Sequence, residues 1–595
     1  MRVESSWVRG IAAVVTACCL GEAPSAPPVA FGQSGASAEL DRLLRDAWEF
    51  DLREDPYLAT RVGDRRYNAF LPRVALDDHA RRKAGKEAFL ARAESIDAGK
   101  LDAKEREHLA IFRRVVGDEL REHAFETHLI PITNREGFHV DFPDLGRRVP
   151  LESVEDYENY IARIDAFGSH CDEQIQVLRE GVERGMTLPS VVLRGIDATV
   201  AVQIVDDAKR SALFAPFTQI PDRFPDATRA RLARDGERAI RESLVPAYAR
   251  LAAFFRDEYV PAARESIAAS SLPRGREFYR HRVRQFTTLD LSPEQVHETG
   301  LAEARRIRSE MESIPAKAGF SGDLPAFIAH LRESPQYYAT TPEQLLKETS
   351  YVLKRIDGEL PRLFRTLPRT PYGIREIPAF IAPKTSSAYY LQPAGDGSRG
   401  GFFYVNTYNL RSRPLFEIEA LSLHEAVPGH HLQIALAQEL TDVPPFRRYT
   451  ELTAFVEGWA LYAERLGLEA GFYRDPLSDF GRLSFEMWRA CRLVVDTGIH
   501  YLGWTREQAI GFMAEQTALS RHNIEAEVDR YIAWPGQALG YKIGELKIRE
   551  LRAFAERELG DAFDLREFHE VVLGSGAVPL DILEQNVKAY AARRR

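Results

Sequence analysis

Between Leu423 and Gln433 the chain reads Leu-His-Glu-Ala-Val-Pro-Gly-His-His-Leu-Gln. The proline–glycine pair in its middle prevents one regular helix from running through an otherwise helix-forming stretch. Imidazoles flank the break, and a carboxylate follows the first of them. Zinc hydrolases need two neutral imidazoles held together and a carboxylate beside the reacting water. The usual helical solution is H-E-x-x-H, because residues four apart share a helix face. Here Pro428 stands in the place of the second histidine. On an unbroken helix His430 would lie roughly 120° from His424, and His431 would return to the His424 face about 10 Å along the axis. A bulge at Pro428-Gly429 brings His430 into the vacant slot. The segment therefore predicts His424 and His430 as metal ligands, with His431 as the alternative second ligand and Glu425 as general base. The competing reading is a set of histidines that cap or pack a broken helix.

A further acid strengthens the metal reading. Glu451 to Glu464 reads as a buried helix, with Phe455, Trp459 and Tyr462 forming an apolar stripe at i, i+4 and i+7. Glu457 lies beside that stripe, and Gly458 allows a second backbone to come close. Buried acids need a partner, either a cation or an arginine. Glu464, next to Arg465, is expected to face solvent.

The 595-residue chain exceeds what one small core requires. Its formal net charge of -9 and lack of any dense Lys/Arg tract exclude nucleic acid as a partner class. Ile11 to Leu20 is an apolar run too short to span a bilayer but suited to an export signal over residues 1–20. Val15-Thr16-Ala17-Cys18 resembles a lipoprotein lipobox, which would anchor the chain to a membrane through Cys18 alone; the alternative is simple cleavage near Ala26. Of the other cysteines, Cys171 and Cys491 either pair or remain buried thiols. Residues 21–37 read as a disordered tether, residues 38–270 as a helical region with proline-rich breaks, and residues 271–595 as the region carrying the site. Ser292-Pro293 marks a helix start. Within about 373–410, Ile377 to Ile381 and Phe402 to Tyr408 read as strands separated by the turn formers Pro393 to Gly401.

The His424-to-His431 phrase, Glu457-Gly458-Trp459-Ala460, Arg492 to His500, and Arg530-Tyr531 with Pro535 to Gly544 together resemble the bacterial family labelled domain of unknown function 885. The resemblance runs from about residue 40 to the C-terminus. It implies a peptidase-like zinc site of one ion per chain at His424, His430 and Glu457, with Glu425 as base.

Other residues are candidates for supporting roles. Tyr541 and Lys542 could stabilise a developing oxyanion; alternatively they are a core aromatic and a surface charge. Tyr404 and Asn406 lie on an expected edge strand that could pair with an extended peptide. Arg530 could clamp a substrate carboxylate or bridge Glu527. Asp496 and His500, one turn apart, could orient a ligand histidine or form a structural pair. The expected fold is mainly α: a two-lobed, zinc-peptidase-like helical protein with a small antiparallel sheet beside the metal-site helix. The expected function is zinc-dependent hydrolysis of short peptides in the periplasm or cell envelope. The alternatives are a zinc hydrolase of non-peptide amides or esters and a non-catalytic binding lipoprotein.

Overall fold

Helix starts in this chain are set by capping side chains. The computed structural model describes residues 35–133, 135–379 and 381–594. Cys18 and the export signal lie outside the described residues. Near the N-terminus run α1 (Gly35–Glu54) and α2 (Ala103–Ala124). The first three residues of α1, 35–37, belong to the segment expected to be a tether. Asp102 and Glu105 form a reciprocal capping box on α2, as Ser153 and Asp156 do on α3 (Val154–Glu183). The Ser292-Pro293 signal opens α4 (Pro293–Met311), where Ser292 accepts from the Gln295 amide and the Gln295 side chain accepts from the Ser292 amide.

The molecule is mainly helical and carries one small sheet. Its strands are β1 (Tyr372–Glu376), β2 (Ala388–Leu391) and β3 (Gly401–Val405), in the order β1-β3-β2. The expectation of an antiparallel sheet needs correction. β3 overlaps the expected Phe402 to Tyr408 strand, but its antiparallel partner is β2, which was not expected, with Ala388 opposite Val405; β1 runs parallel to β3, with Tyr372 opposite Gly401. Ile377 to Ile381 is not a strand; the Ile377 amide makes one last bond to the Val405 carbonyl at 2.9 Å, and the chain then turns away.

The C-terminal part holds α5 (Ile418–Glu425), α6 (His430–Gln438), α7 (Thr453–Leu466), α8 (Pro476–Thr497), α9 (Arg521–Ala533) and α10 (Leu539–Leu559). One apolar core runs from Leu71 to Val587, across the 270/271 division. Cys171 and Cys491 are both buried free thiols. Among the described residues no helix is long and apolar enough to cross a membrane.

A close crossing of α7 and α10 positions the helix that carries Glu457. A Cβ on Gly458 of α7 would lie 2.5 Å from Gly544 Cα of α10, and one on Gly544 would lie 1.9 Å from the Ala454 carbonyl oxygen. Those contacts are with backbone, which cannot swing aside as a side chain can. Gly544→Ala should therefore destabilise the protein by about 3 kcal/mol in urea unfolding, the upper end of ordinary overpacking. A variant within about 0.5 kcal/mol of wild type would show that this crossing relaxes freely.

Candidate metal centre

The proline–glycine pair sits between two helices. It does not bulge from one, as the sequence suggested. Helix α5 ends at Glu425 and α6 starts at His430. Ala426 (φ −106°, ψ −107°) and Gly429 (φ −75°, ψ −127°) leave helical geometry. The Trp459 indole N–H of α7 donates to the Pro428 carbonyl at 2.8 Å, and the His431 amide donates to the Ala426 carbonyl at 2.9 Å. Only glycine fits position 429, since a Cβ there would lie 1.9 Å from the His424 carbonyl oxygen.

This break places the His424 and His430 rings 4.7 Å apart at 85° to each other. Glu457 reaches them from α7. Its Oε2 lies 3.4 Å from His424 Nε2 and 3.5 Å from His430 Nε2. One ligand atom from each of the three residues falls within 4.8 Å of the others. Glu457 Oε2 is buried and has no hydrogen-bond partner among the described residues, so a shared cation is a physically apt occupant. His431 stays out of the group. Its Nδ1 meets the Tyr390 hydroxyl at 2.8 Å and its Nε2 meets the Thr370 carbonyl at 3.0 Å, which ties α6 to the sheet.

Glu464 was expected at the surface and is instead buried against the histidine. Its Oε1 lies 2.8 Å from His424 Nδ1, and Arg489 of α8 pairs with the same oxygen at 3.3 Å. A carboxylate on Nδ1 fixes the ring and leaves Nε2 toward Glu457, the usual support for a ligand histidine. The signal lay in the spacing. Glu457 and Glu464 are seven residues apart, two turns along one helix face.

The electrostatics follow from this packing. Burial alone would lower the His424 pKa, but the carboxylates of Glu457 and Glu464 beside the ring push it up to about 9. Burial would raise Glu457, yet the His430 and His424 rings hold it well below the carboxylate range. Burial pushes the Glu425 carboxyl up, against the opposing pull of His424 and His430.

The other candidates have partners of their own. Lys542 is wholly buried, and its Nζ pairs with Glu545 at 2.8 Å, Glu486 at 2.9 Å and Glu303 at 3.1 Å; a cation so fully neutralised has no hydrogen bond to offer an oxyanion. Tyr541 accepts a hydrogen bond from Arg530 Nη2 at 3.1 Å, and Arg530 Nη1 pairs with Glu527 at 3.4 Å. Strand β3 is the centre of its sheet, so its backbone offers no free edge for a peptide. Tyr404 is buried and stacked on Tyr389, and the buried Asn406 side-chain amide donates to the carbonyls of Ala382, Thr385 and Ser386. Among the described residues, Asp496 and His500 have separate partners. Asp496 accepts from the Tyr279 hydroxyl and the Gly536 amide; His500 Nδ1 accepts from the Ala269 amide and Nε2 meets the Tyr531 carbonyl.

The family model for a bacterial protein of unknown function, DUF885, matches residues 56–587. The chain belongs to the DUF885 family. No curated protein matches it. Among solved structures, this DUF885 chain is similar to a "putative lipoprotein" from Colwellia psychrerythraea, at 29% identity and TM-score 0.90, covering 94% of this chain and 99% of that one. A second, a "putative lipoprotein of unknown function" from Shewanella oneidensis, shares the fold at 18% identity and TM-score 0.66, covering 93% and 99%.

One buried acid of this DUF885 chain carries a pH signature. Burial pushes Asp496 up to about 7, against hydrogen bonds from Tyr279 and Gly536 that favour the anion. The folded chain then keeps a proton that the unfolded chain has lost between about pH 4 and 7, so stability falls as pH rises through that window and levels off above it. Asp496→Asn should thus be more destabilising at pH 5 than at pH 8, by about 3 kcal/mol in paired urea titrations. An equal effect at both values would mean that Asp496 is ionised throughout.

Proposed function

We propose that this DUF885 chain is a cell-envelope, zinc-dependent hydrolase that cleaves short peptides. The observation that carries the reading is Glu457 Oε2, buried without a hydrogen-bond partner among the described residues and 3.4 and 3.5 Å from two histidine nitrogens. Tetrahedral zinc with bonds of roughly 2.0–2.1 Å sets its ligand atoms roughly 3.4 Å apart. His424, His430 and Glu457 would hold the ion, with Glu464 and Arg489 keeping His424 in place. Zinc there would supply Lewis acidity toward a carbonyl oxygen and an attacking water. Glu425, next in the chain to His424, would take that water's proton and deliver it to the leaving amine.

In this reading the regions 38–270 and 271–595 are two lobes about a cleft that admits short peptides, and the fold is zinc-peptidase-like. Support for the envelope location comes from the Cys18 lipobox and from the lipoprotein descriptions of the two similar structures. A binding lipoprotein would share those features, but it would not need a carboxylate at position 425 beside the ligands. Metal analysis of the purified protein, followed by matched panels of short peptides and esters, tests the reading. Zinc-dependent cleavage of peptides is the expected result. Cleavage of esters alone would redirect the substrate class, and no turnover by a zinc-loaded protein would favour the binding role.

A further inference from the structure

Three arginines converge on a single carboxylate beside this centre. Glu527 of α9 is met by Arg492 Nη2 of α8 at 3.1 Å, by Arg530 Nη1 at 3.4 Å and by Arg135 Nη2 of the N-terminal region at 3.6 Å. Side-chain exposure is 3% for Arg492, 12% for Arg530, 20% for Arg135 and 2% for Glu527. The other hydrogen-bond partners of Arg492 and Arg530 are neutral: the Tyr531 hydroxyl accepts from Arg492 Nε, and Gln537 Oε1 and the Tyr541 hydroxyl accept from Arg530 Nη2 at 2.7 and 3.1 Å. Glu136, beside Arg135, makes no ion pair with the three among the described residues, but Arg530 and Arg135 both act on its carboxyl through space. Three positive charges thus face two negative charges, of which, among the described residues, Glu527 alone is in ion-pair contact. Arg492 Nη1 is buried and has no hydrogen-bond partner among the described residues. Guanidinium groups removed from water need anionic partners, and this cluster lacks enough of them.

The cluster adjoins the histidine site through α8. Arg489, which holds Glu464 against His424, and Arg492 are three residues apart on one helix face, an axial rise of roughly 4.5 Å. Both guanidinium carbons lie 4.6 Å from the Trp488 ring. An extended peptide advances roughly 3.5 Å per residue, so a bound chain would present a group to the arginines within a few residues of the reacting carbonyl.

We infer that Arg135, Arg492 and Arg530 form a subsite for a carboxylate of the substrate, so that the enzyme selects peptides bearing negative charge close to the scissile bond. This rests on the peptidase reading above. Planar guanidinium forks suit carboxylates, and both a C-terminal carboxylate and an Asp or Glu side chain supply one.

The test uses zinc-loaded Glu425→Gln protein and isothermal titration with three probes: N-acetyl-tetra-alanine as free acid, the same peptide as C-terminal amide, and N-acetyl-Ala-Glu-Ala-Ala amide. At least one carboxylate peptide should bind about tenfold or more tightly than the neutral amide. Which of the two does so identifies the source of the carboxylate. Arg530→Gln should erase the difference, while the comparison among the three probes needs no arginine variant and so survives any folding defect. Equal binding of all three peptides, or binding of none in the millimolar range, overturns the subsite. Zinc content and a repeat titration on metal-free protein separate the two ideas. Charge preference without zinc binding sinks only the metal reading, and zinc binding without charge preference sinks only the subsite.

Discussion

The purified protein should retain about one equivalent of zinc per chain, and His424→Ala should retain essentially none after dialysis. The histidine shares Glu457 Oε2 with His430 at 3.4 and 3.5 Å, so its removal takes away one of three ligand atoms. It also leaves Glu464 buried without the imidazole that it faces at 2.8 Å. Breaking the support without removing a ligand should cost less: Glu464→Gln is expected to weaken zinc about 10–100-fold. The histidine pair offers the sharper discrimination. His430→Ala should lose zinc as His424→Ala does. His431→Ala should keep it, because both His431 ring nitrogens are occupied by Tyr390 and Thr370. Elemental analysis of the four variants checks the set. A fully folded, active wild type without metal would end the zinc reading, and greater zinc loss from His431→Ala than from His430→Ala would reverse the ligand assignment.

Glu425→Gln should keep its zinc and lose about 10²–10⁴-fold in kcat, the ordinary contribution of a general base. Glu425 is the last residue of α5, adjacent in sequence to His424, and on a helix its side chain leaves the axis roughly 100° from that ligand. That direction puts a carboxylate beside the metal position without drawing it into the ligand set. Burial raises its pKa, which makes it a stronger proton acceptor than an exposed glutamate. Glutamine preserves size and shape while removing the basic oxygen, so the variant isolates proton transfer from binding. KM should change little if the residue acts only in the chemical step. The measurement uses whichever peptide the panel identifies. Turnover within a few-fold of wild type, with zinc bound, would remove Glu425 from the mechanism.

Much of this site was legible along the chain. Apolar spacing and capping residues marked the helices, since both act within a turn or two. The proline–glycine pair marked a break, and the departure from an ordinary H-E-x-x-H match singled out His430 as the candidate that the structure brings to His424. Gly458 signalled a close backbone, which proved to be Gly544. Strand β3 and the turn formers before it were legible, but its hairpin partner β2 was not, the first strand being expected at Ile377 to Ile381. Nor was the parallel partner β1, because strand order depends on which segment returns to which edge.

What the sequence by itself determined, then, is local: the mainly helical character, the break at 428–429, and the candidate trio with Glu425 alongside. What only the tertiary structure decided is partnership. Lys542 looked available for catalysis until Glu303 and Glu486, from two other helices, were seen to join Glu545 of its own helix around it. Glu464 looked exposed beside Arg465, yet α5 and α8 pack over it and give it His424 and Arg489. Asp496 and His500, though one turn apart, each serve different distant backbone groups. The physical reason is the same in every case. Side-chain direction along a helix follows from its 3.6-residue period, but the charge that a side chain meets is supplied by segments tens to hundreds of residues away, and only packing brings them together.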